Sequence, residues 1–201
     1  MQLMQSNLIK KSKNFKKKIF LIIFFFILVF FMFFSIIKSK KQKKSLNQPT
    51  YEEIIEEINA NTNENFFNAE KFIIDNKNVY GTLISLSLAK KYILKNHLEK
   101  AFIQLKNSLK YTTEENLKNI LRLRMSKIKM QQNKNKDAIQ IIEEIKDDSW
   151  SSIVENIKGD IFMNDGNKKL AIKCWEKSKF LEESQTLKKI INMKINEVQI
   201  K

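Results

Sequence analysis

The sequence predicts an all-α chain, with a single transmembrane helix near the N-terminus and a domain of paired helices after it. Three observations carry this. Residues 19–37 are apolar except for Ser35. From residue 51 onward apolar positions recur at helical spacing, with no alternating stretch that would make a strand. A pattern of small, small and large residues also returns three times at a nearly constant interval.

Residues 1–18 form a basic segment containing Lys10, Lys11, Lys13, Lys16, Lys17 and Lys18. Residues 19–37 follow. A helix of that length spans about 28 Å at about 1.5 Å per residue, close to the ~30 Å hydrocarbon layer of a bilayer. Phenylalanines on all its faces leave no polar side. The run passes directly into Lys38, without the small residues of a cleavage site, so it reads as an uncleaved signal-anchor in contact with lipid. Residues 38–50, lysine-rich and holding the only proline, Pro49, form a juxtamembrane linker. Six lysines precede the apolar run and five follow it, so the positive-inside rule gives only a slight preference for a cytoplasmic N-terminus.

Residues 51–201 make up the helical domain. Helices are expected over 51–60, 64–76, 79–95, 98–111, 114–132, 137–146, 149–164, 168–181 and 185–198. The first has its stripe at Tyr51, Ile54, Ile55 and Ile58, and Asp165, Gly166 and Asn167 mark one of the turns.

The net charge of +15 belongs mainly to the N-terminal part. Residues 1–50 hold 11 lysines and no acid, whereas residues 51–201 balance 26 basic against 22 acidic side chains, a net of +4. Lysines beside a membrane segment suit anionic headgroups. Base readout favours arginine, of which the chain has only Arg122 and Arg124. A nucleic-acid partner is not expected.

The repeat consists of a small residue, alanine twelve on, and a large apolar residue four further. It occurs as Ala89, Ala101, Leu105; as Ser126, Ala138, Ile142; and as Gly159, Ala171, Trp175. The copies are offset by 37 and 33 residues. An aromatic falls three after the small residue in the first and third copies, Tyr92 and Phe162, and Lys129 stands there in the second. Where two antiparallel helices cross closely only Gly, Ala or Ser fits, and the large residue fills the space beside them. With a period near 34 residues this is the tetratricopeptide (TPR) pattern. Stacked helix pairs of this kind leave a concave groove lined by the first helix of each pair. By register its wall comprises Leu86, Lys90 and Ile93, then Leu123, Lys127 and Met130, then Asn156, Asp160 and Met163. Such a wall suits a peptide or a partner's helix, or is filled by the chain's own terminal helix. The sequence leaves both open.

Nothing in the sequence assembles a catalytic or metal site. His97 is the only histidine and falls in a turn, with no second one to complete a zinc site. Cys174, the only cysteine, is not placed as a nucleophile beside it. Gly81, Gly159 and Gly166 are isolated, so no phosphate-cradling loop exists. Trp175 falls at a core position of the repeat, and Trp150 begins a helix half buried. The chain reads as non-enzymatic, with no cofactor and no small-molecule substrate.

An ordered series of segments resembles a known family. It runs through Ala69–Phe72, Asn76–Gly81, Leu86–Ala89, Leu98–Ala101, Glu115–Lys118, Ile145–Lys146, Trp150, Ile153–Val154, Gly159–Asp160, Ala171 and Trp175–Glu176 to Met193–Asn196. In content and spacing it resembles the ancillary subunit of the bacterial SecYEG translocon, the YfgM family. The resemblance implies a single-pass inner-membrane protein with a cytoplasmic N-terminus and a periplasmic TPR-like domain. Its implied partners are the SecYEG translocon and a PpiD-like periplasmic chaperone, in hand-over of secreted proteins. It supplies no catalytic residues. A structural or assembly scaffold of another envelope complex is the alternative that the same repeats would serve.

Overall fold

In a computed structural model the described residues are 49–60 and 63–200, preceded by Phe25, Val29, Phe30 and Met32. The chain divides into two units, Met1–Pro49 and Thr50–Lys201. Those four earlier residues are helical and expose their side chains. Otherwise the basic segment 1–18, the expected transmembrane span 19–37 and the linker up to residue 48 lie outside the described residues. Among the described residues no helix is long and apolar enough to cross a membrane.

In the second unit the described residues form α1 (Tyr51–Ala60), α2 (Asn63–Asp75), α3 (Val79–Leu94), α4 (Leu98–Leu109), α5 (Glu115–Gln131) and α6 (Asn135–Ile142). A single 3-10 turn (Asp148–Trp150) leads into α7 (Ser151–Asn164), followed by α8 (Lys168–Leu181) and α9 (Gln185–Ile200). No strand occurs among them. Three antiparallel hairpins, α3–α4, α5–α6 and α7–α8, carry the three repeat copies. The pair α1–α2 packs ahead of them and α9 packs on α8.

The turns inside the three hairpins are one structure used three times. Asn96, Asn133 and Gly166 adopt left-handed φ of 60°, 59° and 78°. The following amide donates back to the carbonyl five residues earlier: His97 to Tyr92 at 2.8 Å, Lys134 to Lys129 at 2.9 Å and Asn167 to Phe162 at 2.9 Å. This is the Schellman closure, which satisfies carbonyls that the helix end leaves without partners. Asparagine and glycine are the residues that tolerate that conformation, which explains their place here. The same turn accounts for His97, which is exposed at the start of α4 with its ring 6.4 Å from that of Tyr92.

The small residues sit where the helices of each hairpin cross. Ser126 Oγ donates across to the carbonyl of Ala138 at 2.9 Å, and Ser178 Oγ to that of Ser152 at 2.7 Å. A β-carbon on Gly159 would stand 2.4 Å from Cδ1 and Nε1 of Trp175, so the glycine is what admits the indole. Leu105, Ile142 and Trp175 are all buried beside these crossings. Gly81 is tighter still: a β-carbon there would lie 1.9 Å from the backbone oxygen of Asn76, where the chain doubles back into α3.

The second hairpin departs from its expected boundaries. α6 opens two residues early, because the carbonyl of Lys134 already accepts from Ala138 at 3.0 Å. It ends at Ile142 rather than continuing to residue 146. Glu143 and Glu144 sit at the negative end of its dipole, which does not favour carboxylates, and each pairs elsewhere: Glu143 with Lys158 at 2.7 Å and Glu144 with Arg122 at 3.2 Å. Asp147 then caps the 3-10 turn, accepting from Ser149 N at 2.9 Å and Oγ at 2.7 Å.

Lys129 is buried even though it replaces the aromatic of the other copies. Its stem fills the vacated space and its Nζ lies 3.7 Å from the centre of the Phe102 ring, with Glu99 at 3.9 Å. The cation is thus held by an aromatic face from the preceding hairpin. In the first copy Tyr92 occupies the position, donating to Glu70 at 2.6 Å with its ring edge-on to Phe66. Burial, then Glu70, pushes the Tyr92 phenol far above its ordinary range.

Candidate partner groove

The nine register positions on α3, α5 and α7 do not form one continuous wall. All but Lys127 lie on the edge that each of these helices turns toward the next one along. Leu86, Lys90 and Ile93 on α3 border an open cleft of about 550 Å³ whose far side is α5. Leu123 and Met130 on α5 turn the other way and pack on the core of α6 and α7, with Val154, Ile157 and Ile161. Lys127, between them, faces the α3–α5 cleft. Asn156, Asp160 and Met163 on α7 meet α9.

That last contact is specific. Lys194 on α9 donates to Asp160 Oδ1 at 2.6 Å and to Asn156 Oδ1 at 2.8 Å. Trp175 Nε1 donates to the same Asp160 oxygen at 3.0 Å and to the Asn156 carbonyl at 3.2 Å. Met163 packs on the core that Ile191 and Ile195 of α9 share with Trp175, where Val198 also packs. The charge-assisted bonds fix α9 in register, and the apolar contact supplies the burial. The chain's own terminal helix therefore packs over the third set of register positions, leaving there a smaller cavity of about 280 Å³ bordered by Asp160, Met163 and Lys194, while no helix of the described chain lies over the first.

The open cleft is floored by Leu86, Ala89, Ile93, Leu105, Ile120 and Ile128, and its polar side chains include Lys90, Arg124 and Lys127. The Lys127 ammonium is half buried, and that burial, then the charge of Arg124, lowers its pKa. Ile120, Arg124 and Gln131 escaped the register argument because they lie on the edge of α5 that faces backward. The spacing 120, 124, 127, 131 on one helical face was the available signal. Among the described residues no group of histidine, cysteine or carboxylate side chains is placed to hold a metal ion. Trp150, half buried, packs on the α6–α7 core and donates to Asn116 at 3.3 Å.

A family model described as a Tetratricopeptide repeat-like domain matches residues 13–200. Among solved structures, the crystal structure of MamA superimposes with a TM-score of 0.52 at 12% identity, covering 72% of this chain and 85% of that one, a likeness of fold alone. The molecule is therefore a TPR-like helical-repeat protein, a non-catalytic type built for protein–protein interaction. Its relatives narrow this further. The ancillary SecYEG translocon subunit of Buchnera aphidicola subsp. Schizaphis graminum is 62% identical over 158 residues, 79% of this chain and 81% of the relative. That of Buchnera aphidicola subsp. Acyrthosiphon pisum is 52% identical over 157 residues, 78% and 81%. That of Escherichia coli K12 is 37% identical over 132 residues, 66% and 64%. This chain belongs to the family of ancillary SecYEG translocon subunits.

Proposed function

We propose that the protein is a membrane-tethered, non-enzymatic adaptor of the translocon. Residues 19–37 hold it in the inner membrane with the N-terminus cytoplasmic. The helical domain stands in the periplasm, where it engages the SecYEG translocon and a PpiD-like chaperone and assists hand-over of secreted chains. The observation that carries this reading is the contrast within the array: the α3–α5 cleft is apolar-floored and open, whereas the equivalent edge of α7 is covered by α9. An open edge in a repeat domain is where a partner's segment docks. The apolar length of residues 19–37, and the exposed side chains of Phe25, Val29, Phe30 and Met32, support the tether.

Crosslinking from the helical domain in native membranes tests the assignment and is expected to recover translocon subunits or the chaperone. Recovery of cytoplasmic proteins alone would sink it. Protease treatment of vesicles of known sidedness is expected to degrade residues 51–201 only where the periplasmic face is accessible.

A further inference from the structure

The α3–α5 cleft is lined by charged side chains of one sign only. Its residues on α3 run from Leu86 to Leu94, about 12 Å of helix at about 1.5 Å per residue. That is room for the side chains of two or three turns of a docked segment. The floor is aliphatic. Three cations stand around it, Lys90 from α3 and Arg124 and Lys127 from α5, and no carboxylate lines the cleft. Elsewhere in the domain several basic residues are matched: Arg122 with Glu115 and Glu144, Lys158 with Glu143, Lys177 with Glu155, Lys194 with Asp160. Lys90, Arg124 and Lys127 make no hydrogen bond or ion pair with any described residue.

Burial beside another cation penalises the Lys127 charge. The Asp160 carboxylate, itself paired with Lys194, offsets only part of this, and no acid of the cleft lining neutralises the three cations. We propose that the cleft binds an acidic, apolar segment of a partner protein, with aliphatic side chains on the floor and carboxylates meeting Lys90, Arg124 and Lys127. This rests on the reading of the cleft as the partner groove and adds the chemistry of the partner. The chain's own N-terminal segment is the wrong occupant, since residues 1–50 contain 11 lysines and no acid. Three cations around one apolar floor fit a peptide carrying both features better than a free anion, which would leave the floor exposed to water.

The test uses the full-length chain in mild detergent and three fluorescein-labelled helical peptides. In each, leucines at i, i+3 and i+7 are held constant, and the intervening polar residues are all Glu, all Gln or all Lys. Fluorescence anisotropy is expected to show the Glu peptide binding at least tenfold more tightly than the Gln peptide, with added salt weakening it and the Lys peptide unbound. Lys90→Gln, Arg124→Gln and Lys127→Gln together should abolish the preference. Lys90→Arg with Lys127→Arg should keep it, and so should a control with Lys169→Gln, Lys173→Gln and Lys189→Gln. Far-UV circular dichroism confirms that each variant is folded.

Equal binding of the Glu and Lys peptides, or a preference that survives the triple cleft variant, would overturn the proposal. So would cation-dependent binding to anionic phosphatidylglycerol vesicles that the Glu peptide does not displace, which would make lipid the occupant. Self-association lost in the triple variant would assign the cleft to a second copy instead. If Leu86→Asp abolishes membrane crosslinks to the translocon while the charge preference is absent, the groove reading stands and this inference alone fails.

Discussion

The first and last hairpins use the same register positions to opposite ends. On α3 the set Leu86, Lys90 and Ile93 borders open space; on α7 the set Asn156, Asp160 and Met163 is covered by α9. The middle member differs between them. Lys90 and Lys127 become Asp160 in the third copy, and only there does the chain's own Lys194 find a carboxylate. A change of sign at one repeated position accompanies the difference between an edge that stays open and an edge on which the chain's own α9 packs.

The closed end can be broken in two ways. Trp175→Ala removes the indole that Gly159 admits and that donates to Asp160. Loss of a buried tryptophan costs about 3–5 kcal/mol, so urea unfolding should show a large fall in midpoint and early loss of α9. An unchanged midpoint would mean that the third hairpin does not depend on this packing. Asp160→Lys restores the lysine of the other copies and sets it beside Lys194 and Lys127. Hydrogen exchange of α9 amides is expected to accelerate about tenfold or more, equivalent to ~1.4 kcal/mol of lost local stability. Exchange at the wild-type rate would show that the Lys194 pair is incidental to closure.

A smaller effect sharpens the same picture from α8. Burial, then the nearby Glu155 carboxylate, raises the Cys174 thiol above its ordinary value. The thiolate is the reactive form, so a raised pKa leaves less of it at any given pH. Alkylation of Cys174 should be slower than that of a free thiol at pH 8 and should keep accelerating at higher pH. A rate that levels off at or below pH 8.5 would contradict the burial of this position.

Most of the helical architecture was legible because amphipathic spacing and the small-residue positions report packing between neighbours along the chain. The hairpin turns were legible at His97, beside Asn96, and at Asp165–Gly166–Asn167; at Asn133 the helix after the turn was placed two residues late, where asparagine signals the left-handed conformation less clearly than glycine. The end of α6 was misplaced because acidic residues at its C-terminus are compensated by Lys158 and Arg122, from other helices. Lys129 read as a break in the pattern, and its accommodation depended on Phe102, 27 positions away. The groove was half legible. Register found Leu86, Lys90 and Ile93, and Lys127 across from them, but missed the other opposing residues Ile120 and Arg124. It could not tell that Asn156, Asp160 and Met163 would be covered, since that is decided by α9 in three dimensions.

Position-resolved photocrosslinking tests the central contrast most directly. A benzophenone amino acid at Ser87, on the open cleft, is expected to give crosslinks to another protein in native membranes. The same residue at Met163 should react within the chain, with α9. Intermolecular crosslinks of equal yield from both positions, or from Met163 alone, would contradict the assignment of an open and a closed end.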